Sequence, residues 1–163
     1  MALVAQASTQ ARIQYARAIV TFVLAYVVVT ILAIALSFFI GAVGHMPQSD
    51  EPMKNEAYLV SERFLPLLNL IVWGVFAGIY FRRRMGGREL MGLRREAWAL
   101  GVFWLVAAVV VDYVGFVLIK NPISLSPHDF YVGQFPWIYL IYVAVLFSPF
   151  CYVMLARGRG GRA

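Results

Sequence analysis

Three side chains in the second half of this sequence are the candidates for general acid or base chemistry. Asp112 is the only acidic or basic residue within the chain's long apolar runs, and His128 and Asp129 are neighbours in a later polar segment. A histidine beside a carboxylate suits proton transfer if both reach one substrate. A carboxylate surrounded by apolar residues can instead bind a proton or a cation, or clamp neighbouring helices together. The sequence leaves all three roles open for Asp112.

The apolar runs that surround these residues determine the fold class. Of 163 residues, 62% are hydrophobic and 13% are charged, whereas about a quarter of a soluble domain is charged. Four runs, at 18–44, 64–81, 97–119 and 137–156, are long enough to cross a bilayer as helices, and none alternates as a barrel strand does. We therefore predict an all-α integral membrane protein, with four transmembrane helices in one bundle and one domain over residues 1–156.

Basic residues are concentrated on one side of these runs. The arginines before the first run, between the second and third, and after the fourth are Arg12, Arg17, Arg82, Arg83, Arg84, Arg88, Arg94, Arg95, Arg157, Arg159 and Arg162. The opposite side holds only Lys54, Arg63 and Lys120. The positive-inside rule then predicts a multi-pass protein of the plasma (inner) membrane with both termini in the cytoplasm. The tail at 157–163 has nothing apolar to bury, which predicts disorder.

The arginines of the second loop have two interpretations. Clustered arginines beside a span bind anionic phospholipid headgroups at the cytoplasmic leaflet, or they serve orientation alone. The candidate headgroup-binding residues are Arg82, Arg83, Arg84, Arg88, Arg94 and Arg95. A role in binding nucleic acid is not expected, since the loop is short and contains no aromatic residue for base stacking.

Polar residues of the four runs lie at a similar predicted depth. At about 1.5 Å per residue, Asp112 lies roughly 10–12 Å below the outer end of its run. The residues of comparable depth in the other runs are Asn69, Ser37, Tyr139 and Tyr142. If their helical faces converge, these residues and Asp112 form an outward-facing ligand-binding pocket.

The third loop contains a helix-start signal. Ser126 is a capping residue, Pro127 suits the first helical position, and Asp129 is an acid in the first turn. This pattern predicts a short interfacial helix, whose aromatic residues would form a lid above the pocket. Capping also explains Asp129 without any catalytic role.

Small residues mark the faces on which the helices are expected to pack. Gly74 and Gly78 form a GxxxG pattern in the second run, and the first run carries a stripe of small residues spaced at multiples of four. The members of that stripe are Ala25, Ala33, Ser37 and Gly41. Such faces let backbones approach closely, either within the bundle or between copies in a homo-oligomer.

Metal and cofactor sites are not expected. His45 and His128 are separated by two predicted helices, and no cluster has the spacing of metal ligands. The length of this chain and its four predicted spans are similar to those of lipoprotein signal peptidases. The sequences around Asp112 and Asp129 are VVVDYV and PHDFY, and they lack the motifs that surround that family's catalytic aspartates.

The sequence therefore favours a non-catalytic membrane protein, an accessory subunit or binding module with an outward-facing pocket around Asp112. Its expected partners are the lipid bilayer, anionic phospholipids, and a membrane protein or a second copy of the chain. One alternative is a small transporter in which Asp112 exchanges a proton or cation. Another is an intramembrane enzyme that uses Asp112, His128 and Asp129.

Overall fold

The computed structural model describes residues 13–47, 49, 52–82, 90–119 and 124–160, and it is helical, with no strand in these segments. In chain order the elements are α1 (Tyr15–Gly44), a 3₁₀ turn (Pro52–Lys54), α2 (Glu56–Glu62), α3 (Leu65–Phe81), α4 (Leu90–Asp112), the π-helical segments π1 (Tyr113–Leu118) and π2 (Asp129–Gly133), and α5 (Trp137–Gly160). The prediction of an all-helical chain is confirmed.

Three helical segments are long and apolar enough to cross a membrane: Tyr15–Gly44, Leu90–Leu118 and Trp137–Gly158. Helices α2 and α3 form a fourth candidate together, with a bend of 55° between them. The bend precedes Pro66, which occupies the first turn of α3, where a residue without an amide proton costs little. The predicted run at 64–81 corresponds to α3, but the sequence did not reveal α2 or the bend.

The bundle has two chemically different ends. At one end, here called the arginine end, lie Arg17, Arg82, Arg94, Arg95 and Arg157. At the other, here called the loop end, α1 terminates at His45, whose left-handed backbone (φ 49°) donates its amide to Gly41. Helix α2 and residues 124–136 also lie there.

Helix α1 packs mainly on α2 and α3. Helix α3 packs on α5, and α5 packs on α4, while α1 and α4 make few contacts.

Helix α1 buries a single narrow stripe. Its most deeply buried apolar residues, Ala18, Phe22, Ala25 and Val29, recur at intervals of three and four residues, which places them on one helical face. Large apolar side chains elsewhere on α1, such as Val23 and Ile31, are exposed. Since soluble proteins rarely expose so much contiguous apolar surface, this surface suits lipid contact.

Close packing between α4 and α5 depends on Gly101. A Cβ atom added at Gly101 would lie 2.1 Å from the carbonyl oxygen of Leu146, whereas one at Gly74 would meet no atom within 4 Å. At Gly78 it would lie 2.8 Å from the Tyr152 ring. The predicted close packing therefore holds for Gly78 but not for Gly74, which faces open space. Gly101 was not singled out from the sequence.

Pro149 lies inside α5 and removes the amide that would bond to the carbonyl of residue 145. The hydroxyl of the neighbouring Ser148 donates to that carbonyl, on Val145, at 3.0 Å. Ser148 is fully buried, so the hydroxyl satisfies an acceptor that water does not reach.

Helix α5 continues to Gly160, whereas the sequence predicted a disordered tail over residues 157–163. That prediction was wrong for residues 157–160, because an established helix gains one hydrogen bond for each residue it adds. Residues 161–163 lie outside the described residues.

Candidate functional site: a cavity around Asp112

Asp112 is the last residue of α4 and links three helices through its two carboxylate oxygens. The Tyr26 hydroxyl on α1 donates to Oδ1 at 2.5 Å, and the Tyr142 hydroxyl on α5 donates to Oδ2 at 2.9 Å. The side chain is 8% exposed. Hydrogen bonds from neutral hydroxyls to each oxygen are what a carboxylate needs when water is largely excluded.

The backbone changes geometry immediately after Asp112. In π1 the Ile119 amide bonds to the Val114 carbonyl, a five-residue step that widens the helix. The Leu125 amide bonds to the Phe116 carbonyl at 2.9 Å, and the Phe116 ring stacks on Phe130 of the third loop at 6.0 Å. The widened turn thereby docks the third loop against the helix that carries Asp112.

A cavity of about 340 Å³, here called the Asp112 cavity, lies beside this carboxylate. Its lining along α1 runs from Tyr26 to Phe38, which corresponds to about 18 Å at the rise of an α-helix. Phe38 is 64% exposed, so the cavity reaches the surface at the loop end. The other helices contribute mostly apolar and aromatic groups to the wall, among them Trp73, Ala108, Phe116, Phe130, Ile138, Ile141 and Val145.

Three aromatic rings, here called the aromatic floor, pack together on the arginine-end side of Asp112, and one of them, Trp73, lines the cavity. The Trp73 ring lies 5.5 Å from that of Phe22 and 5.2 Å from that of Trp104, as measured between centroids. The Trp104 indole also donates to the Ala18 carbonyl at 3.1 Å. All three rings are buried.

Polar groups surround the cavity near the loop end. The Gln134 amide donates to the Tyr58 hydroxyl, and the Asn55 side chain caps α2 by accepting from the Tyr58 amide at 3.1 Å. Tyr58, Gln134 and Asn55 all line the cavity. Close by, Glu62 ends α2 and is 4% exposed, with Oε1 lacking a hydrogen-bond partner among the described residues.

The structure brings together most of the predicted pocket residues. Asp112 and Tyr142 are hydrogen-bonded, and Ser37 and Asn69 line the same cavity. Asn69 does not bond to Asp112, because its amide donates to the Leu65 carbonyl at 2.9 Å and its oxygen accepts from the Trp73 indole at 3.0 Å. A ligand-binding role for these residues stays a prediction.

Tyr139 does not belong with them. It is 45% exposed, its ring lies 5.9 Å from that of Phe135, and it is absent from the cavity lining. The predicted placement of Tyr139 was wrong because depth along a helix does not determine which way a side chain faces. Tyr142, three residues later, is on the buried face.

The predicted third-loop helix begins as expected. The Ser126 hydroxyl accepts from the Asp129 amide at 3.0 Å and donates to the Asp129 carboxylate at 2.7 Å. The segment is a widened π turn, and it buries Phe130 against the cavity. Burial raises the pKa of Tyr131, and the charge of nearby Asp112 adds to this shift, so Tyr131 remains a neutral hydroxyl at physiological pH.

The weak catalytic candidates are not assembled into one site. His128 Nδ1 lies 3.6 Å from Asp129 Oδ1, but both side chains are largely exposed. Neither residue lines the Asp112 cavity. The arrangement of the described residues does not bring an acid–base pair to Asp112.

Several cavity residues were missed in the sequence. The most important of them is Tyr26, which bonds to Asp112 from α1. On that helix the sequence predicted Ser37, and not Tyr26, as the pocket residue. Tyr26 is the only tyrosine within the run at 18–44. Because a buried tyrosine hydroxyl needs a hydrogen-bond partner, its position in an apolar run already indicated a polar contact there. Nothing comparable in the sequence indicated Tyr58 or Gln134, since both lie outside the four apolar runs, in segments whose sequence predicts a loop.

The arginine end contains a third buried acid, Glu96, which is inaccessible to solvent and accepts from the Tyr80 hydroxyl at 2.8 Å. Arg17 donates to the Ile79 carbonyl at 2.6 Å and lies over the Tyr80 ring.

The predicted headgroup-binding residues Arg82, Arg94 and Arg95 are exposed. The other predicted headgroup-binding residues, Arg83, Arg84 and Arg88, lie outside the described residues.

Within the described segments, no group of three or more His, Cys, Asp or Glu side chains is placed to hold a metal ion.

Comparison of the chain with protein-family models, with curated proteins and with solved structures found no match in any of the three. The functional interpretation therefore depends on the geometry of the Asp112 cavity.

Proposed function

We propose that this chain is a four-span protein of the plasma (inner) membrane that binds a small ligand in the Asp112 cavity from the outer side. Helices α2 and α3 are one bent span, π2 is the interfacial helix, and both termini are cytoplasmic. The protein is an accessory subunit or binding module and has no catalytic activity of its own. The observation that carries this proposal is a cavity of about 340 Å³ with a hydrogen-bonded carboxylate in its wall.

The size and chemistry of the cavity support ligand binding. Binding sites for small molecules are concave, mostly apolar, and have a few fixed polar groups. Here Tyr26 and Tyr142 hold the Asp112 carboxylate in place, while Tyr58 and Gln134 supply polar groups toward the loop end. A site whose polar groups are already held by the fold needs little further ordering when a ligand arrives.

The aromatic floor favours binding over conduction. Phe22, Trp73 and Trp104 are buried and pack together on the arginine-end side of Asp112, and an ion would need a polar path past them. A transporter would have to separate these rings in each cycle. Both carboxylate oxygens of Asp112 already accept hydrogen bonds, and His128 and Asp129 are outside the cavity, so the geometry offers no acid–base pair for catalysis.

Membrane orientation is tested by cysteine labelling, which the chain suits because Cys151 is its only cysteine. In a Cys151→Ser background, His128→Cys reports on the loop end and Gly158→Cys on the arginine end. We expect a membrane-impermeant maleimide to label His128→Cys in intact cells and Gly158→Cys only after permeabilisation, since arginine-rich ends stay cytoplasmic. The reverse pattern would refute an outward-facing cavity.

Ligand binding is tested with 4-bromobenzyl compounds of different charge, whose bromine quenches tryptophan fluorescence. Trp73 lines the cavity, so a bound probe should quench saturably in lipid nanodiscs. Ala33→Phe would fill the cavity, because Ala33 lines it, whereas the matched control Ala35→Phe places the same ring on an exposed position of α1. We expect saturable quenching to survive in Ala35→Phe and to disappear in Ala33→Phe. Absence of saturable quenching with every probe would refute the proposed binding function.

A further inference from the structure

Among the described residues that line the Asp112 cavity, one side chain carries a charge. Asp112 is the only acidic residue among the described residues that line it, and none of them is lysine, arginine or histidine. A carboxylate has about four positions for hydrogen-bond donors, and the hydroxyls of Tyr26 and Tyr142 take two of them. The remaining acceptor capacity is available to a donor or positive charge within the cavity.

Aromatic residues share the cavity wall with this carboxylate. Tyr26 and Tyr142 bond to it directly, Phe116 and Phe130 stack on one another in the wall, and Trp73 forms part of the aromatic floor. Ring faces carry negative electrostatic potential and attract cations within about 6 Å, and this is the chemistry by which proteins recognise alkylated ammonium groups. The same walls would bury apolar substituents of such a ligand.

Competing ligand classes fit less well. An inorganic cation needs several oxygen ligands at close range, and no group of acidic or histidine side chains provides them within the described residues. An anion would meet the Asp112 carboxylate with no basic side chain among the described lining residues to offset it. A neutral molecule without a hydrogen-bond donor would leave the carboxylate's free acceptor positions unused, and one with a donor would bond to them more weakly than a cation does.

We propose that the Asp112 cavity selects an organic cation, an ammonium group with apolar substituents, through the Asp112 carboxylate and the surrounding aromatic rings. This inference rests on the proposed binding function and names the ligand class. The positively charged nitrogen lies beside Asp112 at the inner end of the cavity, and the apolar part extends along α1 toward Phe38. A length of about 18 Å accommodates a substituent of several carbon atoms.

The test uses three probes of the same shape that differ in charge. They are (4-bromobenzyl)trimethylammonium, its neutral carbon isostere 1-bromo-4-neopentylbenzene, and (4-bromophenyl)methanesulfonate. Quenching of wild-type protein in nanodiscs of uncharged lipid gives their relative affinities. We expect the cation to bind at least about tenfold more tightly than the neutral isostere, and the anion to show no saturable binding.

Asp112→Asn identifies the source of this selectivity, because it keeps the shape of the side chain and removes its charge. Affinity for the ammonium probe should fall about tenfold or more, while that of the neutral isostere should change less than about twofold. Equal binding of cation and neutral isostere by the wild type would overturn the inference and leave the proposed function intact. That comparison needs no variant, so it holds even if Asp112→Asn fails to fold.

Discussion

The 2.5 Å hydrogen bond from the Tyr26 hydroxyl to Asp112 Oδ1 joins α1 to α4, two helices that otherwise make few contacts. The Tyr142 hydroxyl bonds to the other oxygen from α5. Asp112 therefore has two effects in one position. It holds three helices together at the inner end of the cavity, and it presents a carboxylate to whatever occupies that cavity.

Removal of the Tyr26 hydroxyl tests the clamp. Tyr26→Phe keeps the ring that packs beside Phe22 but leaves Oδ1 without its donor. We expect a loss of about 1–2 kcal/mol in the free energy of unfolding, since a charged acceptor in a largely dry site is left unpaired. Unfolding in mixed detergent micelles measures this. Tyr139→Phe is the matched control, because the exposed Tyr139 lies outside the cavity; an equal loss there would rule out a specific clamp.

Glu62 presents the opposite case, a buried carboxylate with an unpaired oxygen. Its Oε1 has no partner among the described residues, and the side chain is 4% exposed. Glu62→Gln replaces this buried carboxylate with a neutral amide of nearly the same shape. We expect the free energy of unfolding to rise by about 1 kcal/mol, because a neutral group costs less to desolvate.

Glu56→Gln serves as the control for that measurement. Glu56 is exposed in the first turn of the same helix, so its substitution should cost only a few tenths of a kcal/mol, about the value of an acid near a helix N-terminus. A fall in stability for Glu62→Gln larger than this would show that the protein requires the Glu62 charge, contrary to the prediction.

Gly101 and Gly74 form a matched pair for helix packing. A methyl group at Gly101 would meet the Leu146 carbonyl oxygen at 2.1 Å, whereas one at Gly74 would meet nothing within 4 Å. We expect Gly101→Ala to destabilise the protein by about 1–3 kcal/mol, because α4 and α5 must separate. Gly74→Ala should be neutral or slightly stabilising, since alanine favours the helix. Thermal unfolding in detergent compares the two, and a strongly destabilised Gly74→Ala would indicate that Gly74 packs against another copy of the chain.

The arginine end should retain anionic phospholipid. Arg94 and Arg95 are exposed at the start of α4, where a cytoplasmic position would bring them to the negative leaflet. The double variant Arg94→Gln, Arg95→Gln should carry fewer bound phosphatidylglycerol molecules in native mass spectrometry. Arg63→Gln, an exposed arginine at the loop end, should carry the wild-type number. Equal retention by all three proteins would leave orientation as the only role of the second-loop arginines.

Much of the fold was predictable because local composition dictates it. Apolar runs at 18–44, 97–119 and 137–156 each correspond to one long helix of the structure. Ser126 caps the third-loop helix as its position before Pro127 predicts. Such features depend on residues close together in the sequence, for which hydrophobicity and capping chemistry are sufficient guides.

The sequence by itself determined the all-helical fold, the sorting of charge to one end, and Asp112 as the residue whose burial needs explanation. Only the tertiary structure decided which side chains meet it. Tyr139 and Tyr142 lie three residues apart on α5, yet only Tyr142 is buried in the cavity wall. Tyr26 contacts Asp112 where Ser37 was expected. The relative rotation and axial offset of the helices set these contacts, and close packing such as that of Gly101 against Leu146 fixes both.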